Sequence, residues 1–412
     1  MLWRITAGTH AAMAQPRLRA LRRVLAATPL AQDTAKFFQP SEAAAGRALI
    51  PATALAAQAA LATLPGLLPT PPLLHAQAPT LTDQHGRTHR TLRVSLTERC
   101  SLRCTYCMPE QGVALTHAAR LVQPDEWPGL LAPFFTAGVH KVRLTGGEPL
   151  LALPAALAVA RAARAAGAQV AITTNALLLH RHCAALLDAG VSAVNISLDT
   201  LQPARWPGMT RRPERAWHRV RAAIDQAASA VASGLLRAAK VNVVIQRGVN
   251  DDEWRDWVAL AASLPIHVRF IEFMPFSGND WQARNALVPA ADVLSSIRAI
   301  DPGLRRVRGS PHDTAQVWTA PGWAGAVGVI ASMTQPFCGG CDRLRISATG
   351  DLRTCLFGRE SVPLLALHRA QAAALPAVIA SAVHGKARAY GGHDTPAHIA
   401  ATGGEAMTTI GG

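Results

Sequence analysis

The 412-residue chain has few cysteines, few charged residues and an especially low share of acidic ones. Seven Cys are too sparse for a scaffold stapled by disulfides, and their number is odd. Charged residues make up only 16% of the chain and apolar residues half of it, which excludes a wholly disordered chain. Lys and Arg number 41 against 26 Asp and Glu, a net charge of +15. This excess indicates an acidic partner: nucleic acid, a membrane surface or a phosphorylated small molecule.

Residues 1–80 lack an unbroken apolar run long enough to cross a membrane. No Asp, Glu, Lys or Arg occurs from Ala48 to Thr82, but Pro51 and five further prolines interrupt this stretch. A membrane-spanning helix needs about 20 consecutive apolar residues. The Arg-rich, acid-poor start of the chain also resembles an organelle transit peptide. We expect residues 1–80 to be a disordered, low-complexity extension, with a transit peptide as the alternative.

From residue 85 onward, short apolar runs alternate with helical patterns. We predict, in chain order, strands at 91–96 and 141–144, a helix at 155–166, a strand at 169–173, a helix at 177–189, a strand at 192–198, a helix at 213–232, a strand at 240–246, a helix at 252–263 and a strand at 267–274. Such alternation is typical of parallel β/α units. About six units are too few for a complete barrel, so we predict an α/β fold with an open, partial TIM-type barrel over residues 81–305. Residues 306–412 form a C-terminal region in this interpretation.

The cysteines are clustered rather than scattered. They form two triplets and one isolated residue: Cys100, Cys104 and Cys107; Cys338, Cys341 and Cys355; and Cys183. Clustered Cys inside cells more often bind metal than form disulfides. Structural zinc requires a fourth ligand, whereas an iron–sulfur cubane held by three thiolates keeps one iron open to a small molecule. A zinc site with a distant fourth ligand remains the alternative, and Cys183 is interpreted as an ordinary buried thiol.

A glycine-rich motif follows the first triplet. Tyr106 precedes the third Cys of that triplet, and Thr145-Gly146-Gly147-Glu148-Pro149 lies farther along the chain. Together these motifs resemble the radical S-adenosylmethionine (SAM) superfamily. In that superfamily, the open iron of a 4Fe–4S cluster binds SAM, and one electron cleaves SAM to methionine and a 5′-deoxyadenosyl radical. The resemblance implies SAM contacts at Tyr106, Gly147, Ser197 and Met274.

Residues 85–412 as a whole resemble the GTP 3′,8-cyclase family, whose members start molybdenum cofactor biosynthesis. The motifs that carry this resemblance occur in the family's order: Leu92–Ser95, the first triplet, Val142–Pro149, Thr173–Asn175, Asn195–Asp199, Lys240–Val244, Arg269–Met274, the second triplet followed by Arg343 and Arg345, and the terminal Gly411-Gly412. One such motif is modest evidence, but the ordered set is specific. The resemblance implies two 4Fe–4S clusters, one on each cysteine triplet.

The resemblance also implies a GTP site built mainly from basic residues. Its members are Arg93, Arg143, Thr173, Lys240, Arg269, Arg343 and Arg345. Arg binds phosphate oxygens through two parallel hydrogen bonds and Lys acts as a point charge, so these residue types suit a triphosphate. For any one of them, the alternative is a solvated surface charge. Four of them lie within predicted strands, where an unpaired cation is costly, and this favours a ligand role.

The implied reaction converts GTP to 3′,8-cyclo-7,8-dihydro-GTP, so the enzyme is a SAM-dependent radical lyase. The adenosyl radical takes hydrogen from C3′ of GTP, the C3′ radical attacks C8 of guanine, and the open iron of the second cluster holds the purine edge. Catalytic roles are implied for Cys100, Cys104, Cys107, Arg343 and Arg345. The implied partners are an external one-electron donor and cyclic pyranopterin monophosphate synthase, the next enzyme of the pathway.

Further expectations concern assembly and location. We expect no nucleic-acid or membrane partner, and a homodimer is one option. Oxygen-sensitive clusters favour a reducing compartment, either the cytoplasm or, if residues 1–80 are a transit peptide, the mitochondrial matrix.

Two segments depart from the family pattern. After Pro149 the family usually has a basic pair, whereas this chain has Leu150-Leu151-Ala152-Leu153-Pro154. Ala176 follows Asn175 at a position where Gly is usual. These departures affect the expected loop conformation rather than the cluster chemistry.

Two other functions remain open on the sequence. The first is another radical SAM enzyme with an auxiliary cluster, such as a peptide-modifying enzyme, although those usually carry more auxiliary Cys and lack Arg343 and Arg345. The second is a zinc-stabilised nucleic-acid-binding protein that uses the positive charge. Iron and sulfide analysis separates them, since the zinc protein contains no iron.

Overall fold

The computed structural model describes residues 80–276, 279–281, 285–402 and 406–410. The extension predicted for residues 1–80 lies outside the described residues, apart from Thr80, and so does the Gly411-Gly412 end.

The described strands form one twelve-stranded sheet. In chain order they are β1 (Thr91–Ser95), β2 (Lys141–Thr145), β3 (Gln169–Thr174), β4 (Val191–Ser197), β5 (Ala238–Ile245), β6 (His267–Glu272), β7 (Arg305–Val307), β8 (Gln316–Thr319), β9 (Ala326–Ile330), β10 (Arg343–Ile346), β11 (Asp351–Arg353) and β12 (Val362–Pro363). Their order across the sheet is β12-β11-β10-β1-β2-β3-β4-β5-β6-β9-β8-β7. The stretch from β10 to β9 is parallel throughout, and antiparallel strands extend both sides. Within the described sheet β7 and β12 do not pair, so the predicted open barrel is confirmed.

Helices cover the outside of the parallel strands. In chain order they are α1 (Trp127–Thr136), α2 (Leu153–Ala165), α3 (Leu179–Ala189), α4 (Trp206–Thr210), α5 (Arg215–Ala232), α6 (Trp254–Ser263), α7 (Ala290–Ile300), α8 (Leu364–Gln371), α9 (Leu375–His384), α10 (Pro396–Ala401) and α11 (Met407–Ile410). At least one helix separates each pair of consecutive strands from β1 to β6, which is the β/α pattern that the sequence predicts.

The core lies between this helical layer and the strands. Leu92, Val142, Ile172 and Val241 are fully buried on the parallel strands β1, β2, β3 and β5. Strands covered on both faces are apolar nearly throughout, which is why these segments appear in the sequence as short apolar runs. Each fully buried Leu or Ile contributes about 1.5–3 kcal/mol.

The predicted strands and helices of the barrel are confirmed, and their bounds agree within two residues at either end. The sequence did not indicate that β9 pairs with β6 and that β10 pairs with β1. The C-terminal region is therefore continuous with the barrel sheet, and a domain boundary at residue 305 stays a prediction.

One described helical stretch, Leu364–His384, is long and apolar enough to cross a membrane by length and composition. A 3-10 turn at Ala372–Ala374 divides it into α8 and α9. Leu364, Leu375 and Val383 pack in the main core. A core helix of a soluble protein passes the same test, so the expected absence of a membrane partner stays a prediction.

Candidate active site

Basic side chains occupy neighbouring positions on the central strands. Arg93 of β1 pairs in register with Arg345 of β10 on one side and with Arg143 of β2 on the other. Because the three strands are parallel, these residues form one row across the barrel wall. On the other side of the barrel, Arg269 of β6 is opposite Asn242 of β5 and donates to its side-chain oxygen at 2.5 Å.

The cations are buried and close enough to repel one another. Burial and the charges of Arg345, Arg143, Arg343 and Arg269 hold the pKa of Arg93 well below its usual value. Burial and Arg143 lower the pKa of Arg269 to about 9. Such a group of like charges is unfavourable in a dry interior unless an anion joins it.

Lys240 and Arg143 belong to the same group. Burial, Arg269 and Arg143 lower the pKa of Lys240 to about 7. Burial and Arg237 lower the pKa of Arg143 to about 10, and Arg143 donates to Thr173 Oγ1 at 3.4 Å. The structure therefore brings the predicted GTP residues of β2, β3, β5 and β6 towards one interior.

No carboxylate of the described residues forms a salt bridge with Arg93, Arg143, Lys240, Arg269 or Arg343. Both terminal nitrogens of Arg343 and Nε of Arg269 are buried without a hydrogen-bond partner. Buried N–H groups of native proteins nearly always have a partner. The unpaired donors and the uncompensated charge both fit a polyanionic ligand.

The first cysteine triplet lies in the loop after β1, at the carboxyl ends of the parallel strands. The amides of Cys107 and Met108 both donate to the Cys104 carbonyl at 3.0 Å, which curls the loop. Burial raises the pKa of Cys104 and that of Cys107, and the neighbouring thiols add to the rise. Buried thiols this close together need bound cations to become thiolates, which iron ions provide.

Gly146 and Gly147 pack directly against this loop. A Cβ at Gly147 would lie 2.4 Å from the Arg99 carbonyl oxygen, and one at Gly146 would lie 2.6 Å from that of Thr97. The Gly147 amide donates to the Thr97 carbonyl at 2.7 Å. Only Gly permits this close approach of the motif to the cysteine loop.

Glu148 holds the neighbouring strand ends together. One carboxylate oxygen accepts from the Thr174 hydroxyl at 2.7 Å and the other accepts from the Asn175 amide at 2.7 Å. Burial raises the pKa of Glu148 to about 7 despite these bonds. The Asn175 side chain in turn donates to Ser101 Oγ at 3.0 Å and lies 3.9 Å from Cys100 Sγ. The motif thus positions the cysteine loop.

Two predicted SAM contacts are tied together by a buried amide. Asn279 Nδ2 donates to the carbonyls of Tyr106 and Met274 at 3.0 and 2.9 Å. The Tyr106 hydroxyl hydrogen-bonds to Asp199, which is fully buried and has its pKa raised to about 6 by that burial. Ser197, the fourth predicted contact, ends β4.

The second triplet lies at the opposite end of the parallel strands. Cys341 comes just before β10, and Cys355 follows β11, which runs antiparallel to β10. Both therefore lie at the amino end of β10, whereas the first triplet lies at the carboxyl end of β1. The row formed by Arg93 and Arg345 is between these two ends. The direction of β11, which decides this placement of Cys355, is not visible in the sequence.

The surroundings of the second triplet are more positive than those of the first. Burial alone would raise the pKa of Cys341, but Arg343 and Lys386 lower it to about 6. The Arg343 guanidinium lies 4.6 Å from the centre of the Phe337 ring. Lys386 Nζ donates to Cys341 Sγ at 3.3 Å. Positive charge stabilises a thiolate, the form that binds iron.

Within the described residues, no three His, Cys, Asp or Glu side chains are close enough together to hold a single metal ion. In a cubane each thiolate binds a different iron, so its ligands are farther apart than those of one zinc ion. Cys183 is half-buried on α3, and burial raises its pKa, as expected of an ordinary thiol.

Several residues near the predicted site were missed by sequence reasoning. They are Glu148, Asp199, Asn242, Asn279 and Lys386. Asp199 lies within a quoted motif, and Glu148 within another, so both had a sequence signal. Asn279 and Lys386 lie in polar segments without any pattern, and only the folded chain shows their contacts.

The chain matches two family models that together cover the barrel and the C-terminal region. The model of the Radical SAM superfamily matches residues 94–261, and that of Molybdenum Cofactor Synthesis C matches residues 266–391. The mitochondrial GTP 3′,8-cyclase of Arabidopsis thaliana is 43% identical over 335 residues, 81% of this chain and 83% of the relative. The chain belongs to the GTP 3′,8-cyclase family. The family member of Heliobacterium modesticaldum is 40% identical over 68% of this chain and 85% of the relative.

Some relatives are longer than this chain. Molybdenum cofactor biosynthesis protein 1 of Mus musculus is 44% identical over 315 residues, 76% of this chain but 48% of the relative. The chain thus spans about half the length of the mammalian relatives that it matches. Among solved structures, Streptococcus suis SuiB bound to S-adenosylmethionine has a TM-score of 0.48 at 13% identity, over 71% of this chain and 67% of that one, which is too distant for conclusions about this site.

Family membership confirms the resemblance seen in the sequence. The radical SAM assignment implies a 4Fe–4S cluster and SAM. The second cluster and the roles of individual residues stay predictions.

Proposed function

We propose that this chain is a GTP 3′,8-cyclase, a SAM-dependent radical lyase that converts GTP to 3′,8-cyclo-7,8-dihydro-GTP in the first step of molybdenum cofactor biosynthesis. Family membership supports the reaction class. The observation that carries the substrate assignment is the buried group of cations between the two cysteine triplets. Among the described residues, no carboxylate forms a salt bridge with Arg93, Lys240 or Arg269 of this group.

The cations suit the triphosphate and the base of GTP. Arg143, Lys240 and Arg269 project from β2, β5 and β6 and lie close enough for their charges to lower the pKa values of Lys240 and Arg269, which supports phosphate binding. A triphosphate carries about four negative charges and offers many acceptors, and Arg binds such oxygens with two parallel bonds. Thr173 adds a hydroxyl beside Arg143.

The first triplet is proposed to bind the cluster that works with SAM. Cys100, Cys104 and Cys107 would ligate three irons and leave the fourth for SAM. The Gly147 carbonyl, Ser197, and the backbone near Tyr106 and Met274 surround this end of the barrel and are proposed SAM contacts.

The second triplet is proposed to bind another 4Fe–4S cluster through Cys338, Cys341 and Cys355. Its open iron would hold the purine edge of GTP. Arg343 supports this assignment, because its two terminal nitrogens are buried without partners and its neighbourhood includes Cys341. Arg93 and Arg345 then lie between base and phosphates.

SAM held near the first triplet would supply a 5′-deoxyadenosyl radical able to take hydrogen from C3′ of GTP. The proposed phosphate contacts at one end of GTP and the second triplet at the other would fix the ribose between them. Fixing both ends of GTP makes ring closure an intramolecular, pre-oriented step. Arg343 and Arg345 are proposed catalytic residues because we propose that both contact GTP.

An external one-electron donor and cyclic pyranopterin monophosphate synthase are proposed as partners. The same proposal includes a homodimer and a cytoplasmic location. A mitochondrial location is the alternative, since the name of the Arabidopsis relative gives that location for that protein.

The test uses the full chain, reconstituted without oxygen. We expect about eight irons per chain. With SAM, a reductant and GTP, we expect 5′-deoxyadenosine together with cyclised GTP. Iron-free protein would overturn the proposal and favour the zinc alternative. Formation of 5′-deoxyadenosine without a cyclised product would reject GTP and keep the superfamily.

Variants separate the two triplets. Replacing Cys338, Cys341 and Cys355 by Ala should halve the iron content, permit SAM cleavage and abolish cyclisation. Cys183→Ala is the matched control, with full iron and full activity expected. Cyclisation by the triple variant would show that the second triplet is dispensable.

A further inference from the structure

Lys386 is a buried lysine whose ammonium group is fully occupied. It follows α9 and is 3% exposed. Its Nζ lies 2.9 Å from His89 Nε2, 2.9 Å from the Arg343 carbonyl oxygen and 3.3 Å from Cys341 Sγ. An ammonium has three N–H donors and no acceptor, so each contact uses one donor.

His89 is oriented to accept from Lys386. Its Nδ1 lies 3.1 Å from the Leu81 carbonyl oxygen, which can only accept, so we assign the proton to Nδ1. Nε2 is then the acceptor that faces Nζ. The nearest carboxylate, Asp83, lies 3.7 Å from Nε2 and is engaged by Arg87 at 2.6 Å. His89 therefore accepts a hydrogen bond from Lys386 but does not compensate the positive charge of its ammonium group.

A lone buried cation is costly unless an anion compensates it. Among the contacts of Nζ, the imidazole and the carbonyl are neutral, and only the sulfur of Cys341 can carry negative charge. Packing alone does not require a lysine at this position, since neutral side chains fill buried space at lower cost.

We propose that Lys386 is a positioning residue of the second cluster, which holds Cys341 Sγ by an N–H···S bond and raises the reduction potential of that cluster. This inference rests on the proposed function, because it requires a cluster on Cys338, Cys341 and Cys355. Hydrogen bonds to ligand sulfurs and nearby positive charge stabilise the reduced, more negative state of an iron–sulfur cluster.

The same ammonium links the cluster to the GTP site. By holding the Arg343 carbonyl and the Cys341 sulfur at once, Lys386 fixes the start of β10 relative to the cluster ligand. The Arg343 guanidinium is a proposed GTP contact. Loss of Lys386 should therefore raise the KM for GTP more than it lowers kcat.

The test measures the potential of the second cluster alone. Full-length protein carrying Cys100→Ala, Cys104→Ala and Cys107→Ala is reconstituted, and its reduction is followed by EPR during a redox titration. Lys386→Met removes charge and donors, and Lys386→Gln retains a neutral donor. We expect Lys386→Met to shift the one-electron equilibrium towards the oxidised form about tenfold, about 59 mV, and Lys386→Gln to shift it less.

Two further variants serve as controls. Arg388→Met removes an exposed charge two residues away and should leave the potential unchanged. Lys386→Arg retains the positive charge and should keep the reduction potential close to that of the parent protein. If Lys386 only filled space, the charge at this position would not matter. The KM and kcat for GTP are measured with both clusters present.

The outcomes separate the inference from the proposed function. If the parent protein loads no iron, the second cluster and this inference both fail. If the parent protein loads a cluster and neither Lys386→Met nor Lys386→Gln changes the reduction potential of that cluster, only the inference fails. If Met and Gln variants lose the cluster and Lys386→Arg retains it, the holding role is supported. If Lys386→Arg also loses it, packing is the cause and the inference is overturned.

Discussion

Ala176 has a backbone conformation that L-amino acids rarely adopt. Its φ is 63°, the residue is 1% exposed just after β3, and its amide donates to Thr174 Oγ1 at 2.9 Å. The left-handed region costs a residue with a Cβ about 1–2 kcal/mol. The departure from Gly at this position therefore introduces strain beside the cysteine loop.

Replacing Ala176 by Gly should stabilise the protein by about 0.5–1 kcal/mol, because Gly adopts this φ without the Cβ clash. The melting temperature by circular dichroism measures the effect. Ala163→Gly in α2 is the matched control and should destabilise by about 1 kcal/mol. Equal destabilisation by both changes would contradict the strain at Ala176.

Lys240 predicts a pH dependence of GTP binding. Burial and neighbouring positive charges lower its pKa to about 7, so much of it is neutral above pH 7 in the ligand-free protein. A bound triphosphate favours the charged form, and binding then takes up a proton. The Kd for GTP should rise by up to about tenfold per pH unit above pH 7.

Isothermal titration calorimetry at pH 7, 8 and 9 checks this dependence. In Lys240→Arg the new guanidinium stays charged, so the Kd of this variant should change less than that of the parent protein between pH 7 and 8, below the pKa of about 9 of Arg269. If Lys240→Arg retains the slope of the parent protein, another group takes up the proton.

At the scale of elements, one carboxylate at the end of β6 connects three parts of the barrel. Glu272 accepts from the amide of Ala290, the first residue of α7, at 2.9 Å. It also accepts from the amides of Met333 and Thr334, at 2.6 and 2.9 Å, and from the Thr334 hydroxyl. The segment that leads to the second triplet is thereby fixed to the barrel.

Glu272→Gln should lower the free energy of unfolding by about 2 kcal/mol, because an amide replaces charge-assisted bonds and points donors at backbone N–H groups. Thermal unfolding measures this, and hydrogen exchange should increase at residues 333–334. Asp292→Asn, on the exposed side of α7, should cost less than about 1 kcal/mol. Similar losses in both variants would contradict a special role for Glu272.

At the scale of the whole molecule, residues 81–90 join the second triplet to the C-terminal segment. Arg87 donates to the carbonyls of Cys338 and Arg388 at 2.9 and 2.7 Å and to that of Ala387 at 2.8 Å. Its Nε donates to the buried Asp83 at 2.6 Å. The Arg87 guanidinium thus binds two segments that lie about 250 and 300 positions farther along the chain.

Arg87→Met should destabilise the protein by about 3–5 kcal/mol, because it leaves the buried Asp83 carboxylate without its partner. We also expect the iron content after reconstitution to fall from about eight towards four, since the Cys338 loop loses its anchor. Thermal unfolding and iron analysis measure the two effects. Arg90→Met, exposed in the same segment, should change neither, and equal effects of both variants would contradict the anchoring role.

Much of the barrel could be predicted because its signals are local. The strand at 141–144 followed by Gly146 and Gly147 depends only on neighbouring residues, and the structure confirms it within one residue. The pairing of β9 with β6 could not be predicted, because more than 50 residues separate these strands along the chain. The contact of Lys386 with Cys341 is equally non-local and has no sequence pattern.

The sequence by itself determined the β/α alternation and the two cysteine triplets, since each depends on spacing along the chain. The basic residues of the proposed GTP site came from the family resemblance. Only the tertiary structure decided that β10 lies beside β1, which puts Arg345 next to Arg93 and the second triplet at the far end of the barrel. The physical reason is that strand order follows from backbone pairing and burial between distant segments. Those same contacts, rather than any motif, bury Lys386 against the sulfur of Cys341.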